Sequence, residues 1–222
     1  VNDNTISQRR DSTDNSRFLS YAATDFAKYG KDSSVLQQPS NAKLRKAKVA
    51  GLGKLIRQFP NHQHRTLYYG PRKPEQVKSV VALGSGHKKV APLRELHYRK
   101  QRGARIYFLH RDTAKASVSL VFPVGNHPRD KRPASKMFSE YFGGDMSAVV
   151  FQEIREARGL AYSAWGYSCT GRLPNDDWAL VGGMGTQSDK TPVALKTYLE
   201  LVRERPVDEV RLAATRESVE QG

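Results

Sequence analysis

The chain has 222 residues, with 37 Lys and Arg against 22 Asp and Glu, for a formal net charge of +15. A hydrophobic fraction of 38% is enough for a real core, and 9% aromatic residues exclude wholesale disorder. No run of about 18 uncharged apolar residues is present, which excludes a helical membrane span. Cys169 is the single cysteine, which excludes an internal disulfide and a cysteine-based zinc cluster.

The first residues, VNDNTISQRRDSTDNSR, lack the apolar stretch of a secretory signal. Together with the end at ESVEQG they read as a chain cut from something longer. Residues 1–15 are polar and expected as a loop or frayed end. SRFLSYAATDFAKYG places Phe18, Leu19, Ala22 and Phe26 at helical spacing before Gly30. KDSSVLQQPS reads as a loop. NAKLRKAKVAGLGKLIRQF then sets Leu44, Leu52, Leu55, Ile56 and Phe59 along one face, an amphipathic helix closed by Pro60. HRTLYYG reads as a short strand and PEQVKSVVAL as a short helix with proline near its start.

Residues 84–103, rich in Gly, Lys, Arg and Pro, read as a linker. Beyond it, ARIYFLH and KASVSLVFPVG are expected as strands, RPASKMFSEYF and MSAVVFQEIREAR as helices. AYSAWGYSCTG and DWALVGGMGTQ follow as a strand pair across an RLPND turn. SDKTPVALKTYLELVRER and VDEVRLAATRESVEQ close the chain as helices. This order of elements predicts an α+β fold, a mainly antiparallel sheet with helices packed on one face.

Within FQEIREARGLAYSAWGY, at about 100° per residue, Met146, Val149, Val150, Ile154 and Ala157 fill one apolar arc. Arg155 falls opposite, so packing does not demand it. Glu153 lies inside the arc and needs a partner if buried. Gly159 stops the helix, and the reversal into a strand is expected to carry Tyr162 toward Arg155. A fixed cation beside a phenolic donor can polarise a carbonyl or grip peptide backbone. The plainer reading is an arginine that complements the helix dipole and a tyrosine that packs.

The segment YFGGDMSAVVFQEIREARGLAYS, residues 141–163, resembles the pitrilysin or insulinase family of inverted-motif zinc metallopeptidases, in its paired glycines, helix, Arg-Gly-Leu and tyrosine. The two strands before it and GTQSDKTPVALKTYLELV after it fit the same pattern. The resemblance implies a domain from 92 to 222, incomplete at its end, preceded over 1–91 by the C-terminal part of a similar domain plus linker. It implies the C-terminal, non-zinc-binding half of a clamshell zinc metalloendopeptidase. In that role Arg155 and Tyr162 contact the substrate and its reacting carbonyl, while Gly143, Gly144 and Arg158 bind substrate. Asp145 stands where the family commonly has a third glycine.

The family's catalytic half carries H-x-x-E-H. None of His62, His64, His87, His97, His110 and His127 begins that motif here. The expectation is no cofactor in this chain, zinc in a complementary N-terminal half that is also its partner, a peptide substrate, and no activity from this chain alone. His62-x-His64 is the nearest approach to a metal motif and lacks an acidic third ligand. Two rivals remain: a non-catalytic scaffold subunit of the same fold, and a basic nucleic-acid-binding module suggested by the +15 charge. Sparse aromatic platforms among the basic clusters make nucleic acid an unfavoured partner.

Overall fold

The structure, a computed structural model, describes residues 2–80, 86, 88–90, 92, 95–100, 102–126, 129–169 and 176–221. The chain forms two compact units, one of Val1–Arg10 with Pro39–Arg94 and one of Asp11–Gln38 with Glu95–Gly222. The second unit thus takes in residues 11–38 together with nearly all of the segment expected from residue 92 onward.

In the first unit, the start of the chain is helix α1 (Asn2–Ser12) and not the expected loop. Few apolar residues mark it, but Asp3 in the first turn and Arg9 and Arg10 in the last complement the helix dipole. Arg9 Nη1 also donates to Pro39 O at 2.7 Å and Asn41 Oδ1 at 3.0 Å. The single helix expected over 41–59 is two, α3 (Asn41–Lys46) and α4 (Val49–Gln58). Ala47 and Lys48 between them are extended. Leu52, Leu55, Ile56 and Phe59 are exposed, so no packed surface holds the two pieces in one axis. Among the described residues HRTLYYG forms no strand, and the nearest bridge joins His62 to Lys88. Helix α5 runs Pro74–Val80, and the rest of its expected span lies outside the described residues.

The second unit opens with α2 (Ser16–Tyr29). Asn15 Oδ1 caps it by accepting from the N–H groups of Arg17 and Phe18, and Gly30 ends it at φ 60°. The buried Asp25 carboxylate accepts from Ser33 Oγ (2.6 Å) and from Ser34 N (2.7 Å) and Oγ, which folds the following turn back on the helix.

Three antiparallel strands follow, β1 (Lys115–Asn126), β2 (Ala161–Cys169) and β3 (Asp177–Gln187), in the order β1-β3-β2. The RLPND turn between β2 and β3 lies outside the described residues. ARIYFLH, expected as a further strand, stays outside the sheet. Its Tyr107 packs edge-on against Phe26 of α2 and accepts from Arg99 Nη1, so contacts to a helix replace a strand partner.

Alternation across the strands gives the sheet two unlike faces. Val118, Leu120, Ala164 and Met184 point to a core built with Phe142, Val149, Val150, Ile154, Tyr198 and Leu201. Those residues come from α6 (Arg132–Ser139) and its wide-pitched extension Glu140–Gly144, from the helical turn around Phe151–Glu156, and from α7 (Thr191–Glu204). Full burial of each large apolar side chain contributes about 1.5–3 kcal/mol. Helix α8 (Glu209–Gln221) packs beside α6 and Glu140–Gly144. The expected α+β architecture, an antiparallel sheet with helices packed over its core face, is the one found. On the other face α2 reaches β1, with Ser20 Oγ 3.2 Å from Ser117 Oγ.

Candidate functional site

The expected MSAVVFQEIREAR helix is shorter than its sequence suggests and wider. Asp145 Oδ1 accepts from Ser147 N (2.8 Å) and Ser147 Oγ (2.7 Å), so residues 145–148 form a capped turn ahead of the helix. Phe151–Glu156 has π pitch, and Ala157 N–H returns to Gln152 O. Gly159, at φ 56°, takes the left-handed position that ends the helix. Its N–H donates to Arg155 O at 3.0 Å and that of Leu160 to Ile154 O at 2.9 Å. The Gly159 bond is that of the simple left-handed cap, while the Leu160 bond reaches one residue further back than in a Schellman cap, in keeping with the wide pitch. Leu160 O then accepts from the buried Thr186 Oγ1 at 2.6 Å, so both backbone groups of Leu160 are fixed where β2 begins.

This corner brings Arg155 and Tyr162 to the surface. Ile154 and Ala161, their immediate neighbours, are buried in the core, while Arg155 is exposed and Tyr162 is 54% exposed. A bulge between Ala161 and Ser163 leaves Tyr162 outside the β2–β3 pairing and turns its side chain outward. The two polar groups have different partners. The Arg155 guanidinium lies 4.7 Å from the Phe151 ring centroid, with Nε 3.4 Å from Glu156 Oε1. The Tyr162 ring lies over Gly185 of β3, with Lys115 Nζ 5.8 Å from its centroid.

The other site residues divide. Arg158 is exposed, and its Nη2 is 3.7 Å from Glu153 Oε2. That pair answers the question raised by Glu153, whose carboxylate is only partly buried. Gly143 is buried against β2, where a Cβ would meet the backbone of Gly166. Gly144 is exposed, and a Cβ there would lie 2.6 Å from Glu140 Oε2. A cavity of about 420 Å³ is lined by Glu140, Asp145, Gln152, Asp208 and Arg211 among others.

Sequence reasoning passed over two residues that touch Tyr162, Lys115 and Gly185. The signal was the GGMG run in β3, since clustered glycines inside a strand mark close approach by another group. It also passed over Lys190, whose Nζ donates to Gly159 O at 3.4 Å. Nearby, Tyr167 stacks on Trp165, and burial followed by the proximity of Cys169 raises its phenol above the ordinary value.

Among the described residues no three His, Cys, Asp or Glu side chains gather into a metal-binding group. His64 Nδ1 faces the carbonyl oxygen of His62 at 2.9 Å. Among the described residues no helix is long and apolar enough to cross a membrane.

An antiparallel sheet backed by helices, with paired glycines, a glycine-ended helix and an outward tyrosine, defines an α+β domain. The profile of the peptidase M16 inactive domain matches residues 53–219, and the chain belongs to that family. An uncharacterized zinc protease of Streptomyces coelicolor is 39% identical over 64 residues, 29% of this chain and 14% of that protein. One of Mycobacterium tuberculosis is 35% identical over 83 residues, 37% of this chain and 19% of that protein.

Among solved structures, the peptidase M16 inactive domain from Pseudomonas fluorescens superposes with a TM-score of 0.70 at 13% identity, over 98% of this chain and 54% of that one. The periplasmic protease PqqL of Escherichia coli gives 0.71 at 16% identity, over 98% of this chain and 25% of that one. These likenesses show the fold. The matched regions thus span less than a fifth of the curated relatives and about half of the Pseudomonas chain or less.

Proposed function

We propose that this chain is the non-zinc-binding half of an M16-type metallopeptidase, and that it presents Arg155 and Tyr162 to a peptide held against a complementary catalytic half. The observation that carries this reading is the bulge at Tyr162, which turns a phenol into solvent between two residues that face the sheet's own partners. Tyr162 donates a hydrogen bond to the substrate carbonyl as negative charge develops there. Arg155 supplies a fixed positive charge to the same region, and Arg158 and the exposed Gly144 border the peptide backbone. Zinc belongs to the complementary half, and this chain alone is inactive.

The test is peptide cleavage by this chain assembled with an H-x-x-E-H half. Loss of one oxyanion donor lowers turnover by about a hundredfold to a thousandfold. Tyr162→Phe is expected to show that loss in kcat, with KM little changed, and undiminished turnover rejects the role.

A second reading has its own observation. The Arg155 guanidinium is already engaged by Phe151 and Glu156, as in a scaffold domain where the corner is only structural. In that case Arg155→Met and Tyr162→Phe leave cleavage intact while the assembly still requires this chain.

A further inference from the structure

Tyr162 stands on a floor from which a side chain is missing. A Cβ built on Gly185 would meet Cζ of the Tyr162 ring, with Cε2 and Oη each 2.5 Å away. All three of these nearest atoms belong to Tyr162. The other glycines of β3 are blocked differently. Gly182 would strike the buried Tyr198, and Gly183 would strike the Trp165 ring and Val118 O. Gly185 is therefore a strand position whose lack of a side chain makes room for the outward tyrosine and for nothing in the core.

Lys115, at the start of β1, places its Nζ 5.8 Å from the centroid of the same ring. An ammonium at that range is held by the negative π face, and it restrains the ring in return. The bulge between Ala161 and Ser163 supplies the third constraint, because it frees the Tyr162 side chain from the alternation of β2.

We propose that Gly185 and Lys115 are positioning residues that set where the Tyr162 phenol points, Gly185 by giving the ring a flat seat and Lys115 by restraining the seated ring. The seat stands on geometry alone. Its consequence for cleavage rests on the function proposed above. A phenol displaced by about 1 Å from its place beside a reacting carbonyl loses on the order of a hundredfold in rate.

The experiment places fluorotyrosine at Tyr162 in the full chain and follows its fluorine NMR signal with the melting temperature. Gly185→Ala is expected to shift the signal and leave the melt unchanged, since alanine suits a strand better than glycine and the atoms nearest the new methyl belong to the half-exposed Tyr162 side chain, which can turn aside. Lys115→Met shifts and broadens the signal, and Lys115→Arg restores it. If Gly185→Ala lowers the melting temperature, the seat requires that the loss disappear in a Tyr162→Ala background. A signal unmoved by both Gly185→Ala and Lys115→Met overturns the proposal.

In the assembled peptidase, Gly185→Ala lowers kcat and adds nothing to Tyr162→Phe. A moved signal with Tyr162→Phe cleaving normally leaves the seat in place and removes the function assigned to the phenol. The two failures are thus distinguishable.

Discussion

The hydroxyl of Tyr198 in α7 donates a 2.8 Å hydrogen bond to the carbonyl oxygen of Trp165 in β2, passing directly above Gly182 and Gly166. Tyr198 is 1% exposed and its ring meets Phe142 edge-on, so the phenol is the point where α7 is pinned to the sheet. A Cβ on Gly182 would collide with this hydroxyl. Gly182→Ala is therefore expected to destabilise by about 1–3 kcal/mol through overpacking. Tyr198→Phe alone is expected to cost about 1 kcal/mol for the lost bond. Together they should cost less than the sum, since removing the hydroxyl clears part of the clash. A double-mutant cycle by urea unfolding measures this, with a coupling of about 0.5–3 kcal/mol expected for groups in contact.

Gly143 and Gly159 are both glycines of the candidate region, but for different reasons. At Gly143 a Cβ would meet the backbone N, Cα and O of Gly166, which no side-chain rotation relieves. At Gly159 nothing lies within 4 Å, and the constraint is φ 56°. Gly143→Ala should therefore separate Glu140–Gly144 from β2 and lower stability by about 3 kcal/mol, the upper part of the overpacking range. Gly159→Ala should cost about 1–2 kcal/mol, the left-handed penalty, and Gly159→Asn less. Chemical denaturation of the three variants checks the order.

The sheet was legible where pairing was local in pattern. KASVSLVF, AYSAWGY and DWALVGGMG alternate or run apolar, and they form β1, β2 and β3. HRTLYYG and ARIYFLH carry the same kinds of residue and form no ladder among the described residues, because a strand exists only where a partner edge reaches it, and propensity does not encode that. The π pitch of Phe151–Glu156 was equally hidden. It arises from how the helix closes on Gly159, and it moves residues around the axis that a regular period misplaces. Order and residue type made Arg155 and Tyr162 stand out, and the structure exposes both. It was the register of β1, β2 and β3 that revealed Lys115 and Gly185 beside the phenol.

Ile154 and Arg155 are adjacent in sequence and opposite in environment, which separates stability from function at one corner. Ile154 is 0% exposed in the core, and Ile154→Ala is expected to cost about 2–5 kcal/mol. Arg155→Met gives up a half-exposed ion pair with Glu156, and such pairs contribute about 0–1 kcal/mol. Thermal melts should show a large drop for the first and almost none for the second. A large drop for Arg155→Met would show that the guanidinium's contact with Phe151 holds the corner together.

Alkaline pH supplies a test of the Tyr198 anchor. Burial raises the Tyr198 phenol well above its ordinary value, because the folded core disfavours phenolate. A group whose folded pKa is raised holds its proton longer in the folded chain than in the unfolded one. Its contribution is present in full below pH about 10, the unfolded value, and is lost as pH rises toward the folded value. In that window each such proton lowers stability by up to about 1.4 kcal/mol per pH unit. Tyr198→Phe cannot ionise, so its unfolding free energy should fall less steeply above pH 10 than that of the parent. Lysine titration affects parent and variant alike and cancels in the difference. Unfolding curves at pH 7, 9, 10 and 11 should therefore show the variant less stable at neutral pH and the gap closing as the solution becomes alkaline. Parallel curves over the whole range would mean that the Tyr198 hydroxyl reaches water in the folded chain.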